Sequence, residues 1–135
     1  MDPDLVAIAK QGARLTAVQV GQAMAARAAY WDRMCRAFEQ FDVLVTPTIS
    51  VPAFALGIVG PTEVAGRSVV HLAWTLAYPF NLTGQPAVTV PCGFTESGLP
   101  VGLQIVGRRY ADGAVLRAAA AFEGARPWAA RRPPL

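Results

Sequence analysis

At 135 residues the chain is long enough for one domain with a real core and too short for two ordinary ones. Hydrophobic residues make up 53% and charged residues 16%, and the mean hydropathy is +0.34; that is more apolar than an ordinary soluble domain, so part of the core is expected to be completed by other residues, in a larger fold or an oligomer. The net charge of +3 comes from arginines scattered between Arg14 and Arg132, whose short pairs Arg108-Arg109 and Arg131-Arg132 form no phosphate-tracking stripe with interleaved aromatics, which argues against nucleic acid as a partner.

The first element is announced by Asp2-Pro3, a cap followed by a first-turn proline, with Leu5, Ile8 and Ala9 at helical spacing up to Gly12. A longer helix is predicted over about 17–39. Thr16 and Gln19 form a capping box there, Leu15 and Val20 occupy the staple positions, and Val20, Met24, Ala28, Trp31, Cys35 and Phe38 recur every three or four residues as one apolar stripe. Arg27, Arg33, Arg36 and Glu39 are assigned to the opposite side. Val43-Leu44-Val45 reads as a strand covered on both faces, ending on Thr46-Pro47. Residues 47–66, rich in Pro and Gly, read as a long surface loop.

Ser68 is a plausible cap for a helix running to about Ala77, which Pro79 must kink or end. Gly84 then supplies a left-handed residue and Pro86 prevents the helix from resuming. Two strands follow, about 87–90 and 101–106, close enough to pair antiparallel through a turn at Glu96-Ser97-Gly98. Pro91-Cys92-Gly93 leaves the first of them. On the second, Val101, Leu103 and Ile105 face one way and Gly102, Gln104 and Val106 the other. Asp112 is expected to cap a last helix over about 113–123, with Val115, Leu116, Ala119 and Phe122 on one face. The tail RPWAARRPPL reads as irregular.

The inventory for chemistry is small. Serine occurs only at Ser50, Ser68 and Ser97, histidine only at His71 and lysine only at Lys10. A nucleophile needs a base within hydrogen-bond reach; Ser68 and His71, three apart, could form a dyad, but a cap beside a surface histidine accounts for the same residues. Cys92 with His71 is no better, because Cys92 lies in an apolar strand-end context unsuited to a nucleophile. One histidine with scattered carboxylates offers no metal site, and no glycine-rich phosphate loop precedes a helix, so no cofactor is expected. Cys35 and Cys92 lack CxxC spacing and read as free thiols of a reducing compartment. No run approaches the roughly 18 apolar residues of a membrane span, and the start MDPDLVAIAK is acidic before it is apolar. A cytoplasmic protein with no membrane partner is expected. Asn81-Leu82-Thr83 matches a glycosylation sequon, which matters only in a secreted eukaryotic chain. Gly102 and Gln104 on one strand face, with Gly84 and Gly93 bracketing the neighbouring strand, allow either close packing against another element or the wall of a binding cleft.

FDVLVTPT, then YPFNLTGQPAVTVPCGF, then GLPVGLQIVGRRYADGAVLRAAAAFE, taken in that order, resemble the C-terminal part of the amidase signature family, which includes amide hydrolases and the A subunit of the tRNA-dependent amidotransferase. The resemblance extends from about Thr16 to Trp128. It implies an α/β fold, a mixed β-sheet covered by helices, to which this chain contributes a single segment. It also implies hydrolysis of a carboxamide C–N bond by a nucleophilic serine, a second serine in a cis peptide linkage and a lysine acting through it, with backbone N–H groups holding the oxyanion. The family carries these residues in an earlier Gly/Ser-rich region that this sequence lacks, and Lys10 stands in an unlike context. No catalytic residue therefore transfers to any position here.

By position in the family, Thr46, Pro47, Thr48 and Gln104 are expected to border the substrate cleft, while Asn81, Gly84, Pro86, Gly93 and Gly102 are structural. The chain alone is expected to be inactive, meeting its amide substrate only within the full enzyme, and either to self-associate or to pair with an N-terminal catalytic partner. The alternative from another class is a non-catalytic assembly or binding module that presents the long helix and unpaired strands as its interface. A small hydrolase built on Ser68 and His71 is a third option.

Overall fold

The computed structural model describes residues 3–69 and 73–131. Helix α1 spans Pro3–Gly12 and helix α2 Ala17–Gln40. The capping box forms at the start of α2: the Thr16 amide donates to Gln19 Oε1 at 2.9 Å and the Gln19 amide to Thr16 Oγ1 at 3.2 Å. Two otherwise orphaned donors at the helix start are thus satisfied reciprocally. Asp2, the expected cap of α1, lies outside the described residues.

Strand β1 is Val43–Pro47; a short hairpin follows, β2 at Glu63–Val64 and β3 at Arg67–Ser68; α3 spans Tyr78–Thr83; β4 is Ala87–Phe94, β5 is Pro100–Gly107 and α4 is Asp112–Ala125. The main sheet has the order β1-β5-β4, and both of its pairings are antiparallel. The β2–β3 turn uses Ala65 at φ +50° and Gly66 at φ +75°, the two left-handed central residues of a tight hairpin. The expected loop over 47–66 therefore holds part of a hairpin.

Strand alternation divides the apolar residues between two faces. On one, Val90 and Ile105 bury against Ala119 of α4, flanked by Val43, Val88, Leu103, Phe122 and Trp128. On the other, Val106, fully buried, packs with Phe80 of α3 and with Met34 and Phe38 of α2, beside Leu44. Helices thus cover both sides of the sheet, the α/β arrangement expected.

Several local expectations are corrected. Among the described residues no helix leads from Ser68 toward Ala77: Ser68 belongs to β3, residues 73–77 form turns and an isolated bridge, and the helix begins at Tyr78 with Pro79 in its first turn. Proline lacks only an amide that would be orphaned there anyway, and its fixed φ suits the first turn. Its place is at a helix start, not an end. The Pro91-Cys92-Gly93 run stays in β4, with a register shift between Pro91 and Gly93; β4 is an edge strand, where a missing donor and a bulge are tolerated. Strand β1 is also an edge, and its Val45 is 51% exposed instead of covered on both faces. Asp112 lies in the first turn of α4, after an Ala111 cap, and its side chain makes no capping bond.

Gly84 does close α3 in the left-handed region, φ +67°, its amide donating to the Phe80 carbonyl at 2.8 Å. Pro86 follows, and its carbonyl accepts from the Gly107 amide at 3.0 Å, tying the turn to the end of β5.

Candidate functional site

Cross-strand register brings Thr46 of β1, Gln104 of β5 and Thr89 of β4 into one row on the sheet face that also carries Leu44 and Val106. Gln104 is only 3% exposed. A buried amide must be satisfied, and its Nε2 donates to Thr46 Oγ1 at 3.0 Å and to the Leu76 carbonyl at 3.1 Å. One side chain thereby joins the sheet centre, its edge strand and the return arm of the long loop.

The loop is closed at its base. The Thr48 amide donates to the Gly102 carbonyl at 3.0 Å, the Leu76 amide to the Thr48 carbonyl at 3.1 Å and the Ser50 amide to the Trp74 carbonyl at 2.9 Å, with an Ile49–Thr75 bridge between them. Thr48 Oγ1 also reaches across β5 to donate to Thr89 Oγ1 at 3.2 Å. This crossing explains Gly102: a Cβ there would lie 2.9 Å from both Thr48 Oγ1 and Thr89 Cγ2. Gly102 is thus needed for a polar bridge over its own strand, a role distinct from packing against another sheet or helix.

Of the four expected cleft residues, Thr46, Thr48 and Gln104 share this row. Pro47 does not; alternation turns it to the α4 face, opposite Leu103. Thr89, missed in the sequence, completes the row; the alternation Thr46-Pro47-Thr48 beside Val88-Thr89-Val90 was the available signal. A second buried pair was missed as well. Thr83 Oγ1 donates to Gln85 Oε1 at 2.7 Å, and Gln85 Nε2 to the Gly107 carbonyl at 3.2 Å, fastening the end of α3 to the end of β5. Asn81 is exposed on α3, and a Cβ on Gly93 would meet nothing within 4 Å, so the structure does not explain a glycine there.

The row can accept and donate hydrogen bonds, but it holds no base. Ser50, Ser68, Ser97 and Lys10 are all exposed, and Ser97 Oγ bonds only to Thr95 Oγ1, at 2.9 Å, among the described residues. His71, the other half of the Ser68 pair, lies outside the described residues. Among those described, no three His, Cys, Asp or Glu residues gather at metal-binding distance, and Cys35 and Cys92 are free. Among them too, no helix is long and apolar enough to cross a membrane.

An antiparallel sheet between helices, with a buried amide side chain at its centre, is part of an α/β fold. Residues 5–116 match the sequence model of the amidase family. The chain belongs to that family. It is 44% identical to an acylamidase of Rhodococcus erythropolis over 98% of its own length and 28% of the relative's. It is also 46% identical to the A subunit of a glutamyl-tRNA(Gln) amidotransferase from Synechococcus sp., over 74% of its length and 18% of the relative's. Among solved structures, a bacterial aryl acylamidase of the amidase signature family superposes with a TM-score of 0.85 at 32% identity, covering 99% of this chain and 29% of the other. The chain spans less than a third of the length of these relatives.

Proposed function

We propose that the chain is one segment of an amide hydrolase that cleaves carboxamide C–N bonds with a Ser-Ser-Lys triad held outside these 135 residues, and that it has no turnover alone. The observation that carries this reading is the pairing of a family fold with a catalytic inventory that is empty among the described residues: the chain superposes on an aryl acylamidase at a TM-score of 0.85, yet the row around its buried Gln104 contains hydroxyls and a carboxamide and no base. In this reading Thr46, Thr48 and Gln104 form a wall of the substrate cleft, with Pro47 ending the strand behind them. The row serves to hold shape. Gln104 fixes the base of the loop over residues 48–76, and the loop in turn bounds the space an acyl or leaving group occupies. The working compartment is the cytoplasm, where Cys35 and Cys92 would stay reduced.

A single-chain chimera tests this: the matched 28% of the Rhodococcus erythropolis acylamidase is replaced by the present chain, and amine or ammonia release from acyl amides is measured. The folded chimera should turn over and the isolated chain should not. A folded, inactive chimera would overturn the reading. So would turnover by the chain alone that disappears on replacing one of its own residues. The second reading, a non-catalytic assembly module, is favoured by the exposed apolar side chains of α1 and the first half of α2.

A further inference from the structure

The apolar stripe of α2 is finished at one end and bare at the other. Met34 and Phe38 are buried beside Val106 and Phe80, whereas Val20 and Met24, earlier on the same helix, are 48% and 59% exposed. Leu5 and Ile8 of α1 are exposed as well. Between the two ends of the stripe lie two adjoining cavities of about 290 and 200 Å³, which share Trp31 and Arg109 as lining residues. One reaches Cys35, Glu39 and Arg108; the other opens between Met24 and Leu82, with Arg27 at its side.

Three arginines line this groove, and two of them, Arg27 and Arg109, are held in place. The Arg109 guanidinium lies 5.5 Å from the Trp31 ring centroid and 5.0 Å from that of Tyr110, within cation–π range of both. Tyr110 takes the left-handed conformation, φ +66°, uncommon for a non-glycine residue. Arg27 Nε donates to the Leu82 carbonyl at 2.6 Å, which anchors its guanidinium with donors to spare. Among the described residues neither these arginines nor Arg108 pairs with a carboxylate; the only ion pair there joins Arg36 to Asp32. Glu39 is the single acidic residue lining the groove.

Pre-positioned guanidiniums beside a bare apolar stripe call for a partner that supplies a carboxylate and an apolar face together. A second copy presenting the same groove would set arginine against arginine. The aryl acylamidase aligns over 99% of this chain, a span that includes the α1–α2 arm, while this chain accounts for 29% of that one; most of the relative's chain is therefore available to cover what is bare here. Resting on the amidase reading above, we propose that the groove rimmed by Arg27, Arg108 and Arg109, with Met24 in its lining and the exposed Val20 one turn earlier on α2, seats a carboxylate-bearing, apolar-faced segment from the remainder of an amidase fold.

The probe is the part of the Rhodococcus erythropolis acylamidase outside the matched region, expressed together with this chain and purified through a tag on the latter. A one-to-one complex is expected. Val20→Asp combined with Met24→Asp should abolish it; both positions are exposed in the chain alone, so the variant should fold. Arg109→Glu should weaken association about tenfold, the scale of a lost charge-assisted contact. Arg36→Ala, which lines neither cavity, should leave it unchanged. Failure of the unaltered chain to bind the probe, or equal binding by the Val20/Met24 double variant, would overturn the proposal. The single-chain chimera separates this from the amidase reading: an active chimera indifferent to the groove substitutions removes the groove proposal alone, while groove-dependent assembly without amide hydrolysis removes the catalytic reading alone.

Discussion

Val90, Ile105 and Ala119 form a core on one face of the sheet from side chains that all belong to this chain, with Val45 at its edge left half exposed, while the opposite face begins with a comparable cluster around Val106 and then passes into a row of hydroxyls and one carboxamide. The difference lies in what each face needs. Apolar burial under α4 is non-directional, so any apolar side chain that reaches the face can meet it. The polar row is directional: Gln104 must find partners at Thr46 and Leu76, and Thr48 and Thr89 must meet across a strand that carries no side chain at Gly102. A segment can complete the first kind of face by itself. On the reading proposed above, the second kind, together with the bare start of α2, is the side on which the rest of an amidase fold would continue.

The contrast is broken most forcefully from the closed face. Ile105→Ala should lower stability by about 2–5 kcal/mol, the range for a buried aliphatic cut back to alanine, read as a fall in the urea midpoint. A loss much below that range would mean that the α4 face is no more self-sufficient than the other. Gln104→Leu should cost less, about 1–3 kcal/mol, because it leaves the partly buried Leu76 carbonyl without its side-chain donor. Its signature is local: the amides of Leu76 and Ser50, which tie the loop base together, should exchange faster with solvent than in the unaltered chain. Unchanged exchange at both would show that the loop is held by its backbone bonds alone.

How far the sequence could be read follows the same division. The capping box at Thr16 and Gln19, the left-handed stop at Gly84 and the pairing of β4 with β5 were legible because each depends on neighbours in the chain or on a single residue's conformational freedom. The family resemblance supplied the α/β class. Pro79 misled because one proline can end a helix or begin one, and the decision rests on what precedes it: here a short hairpin and a bridge from Thr75 back to Ile49, far away in the chain. Gln104 could be recognised as a mid-strand amide requiring partners, but Leu76 could not be named, since that hydrogen bond spans 28 positions. Thr89 was passed over for a similar reason; its meaning comes from Thr48, which follows a strand that is not its neighbour.

The smallest predicted effect is the sharpest test of whether the arm and the sheet are separate. Thr16→Ala removes the capping box and should weaken the first turn of α2 by about 1 kcal/mol, seen as faster amide exchange there. If the bare half of α2 opens independently of the sheet, as its exposed Val20 and Met24 imply, the urea midpoint should not move, because the global transition is set by the Val106 and Ile105 clusters, to which only the second half of α2 contributes. A midpoint that falls by the full cost of the cap would mean that arm and sheet unfold as one cooperative unit. The first half of α2 would then be stabilised by contacts within this chain, and the groove beneath it would need no partner to explain its shape.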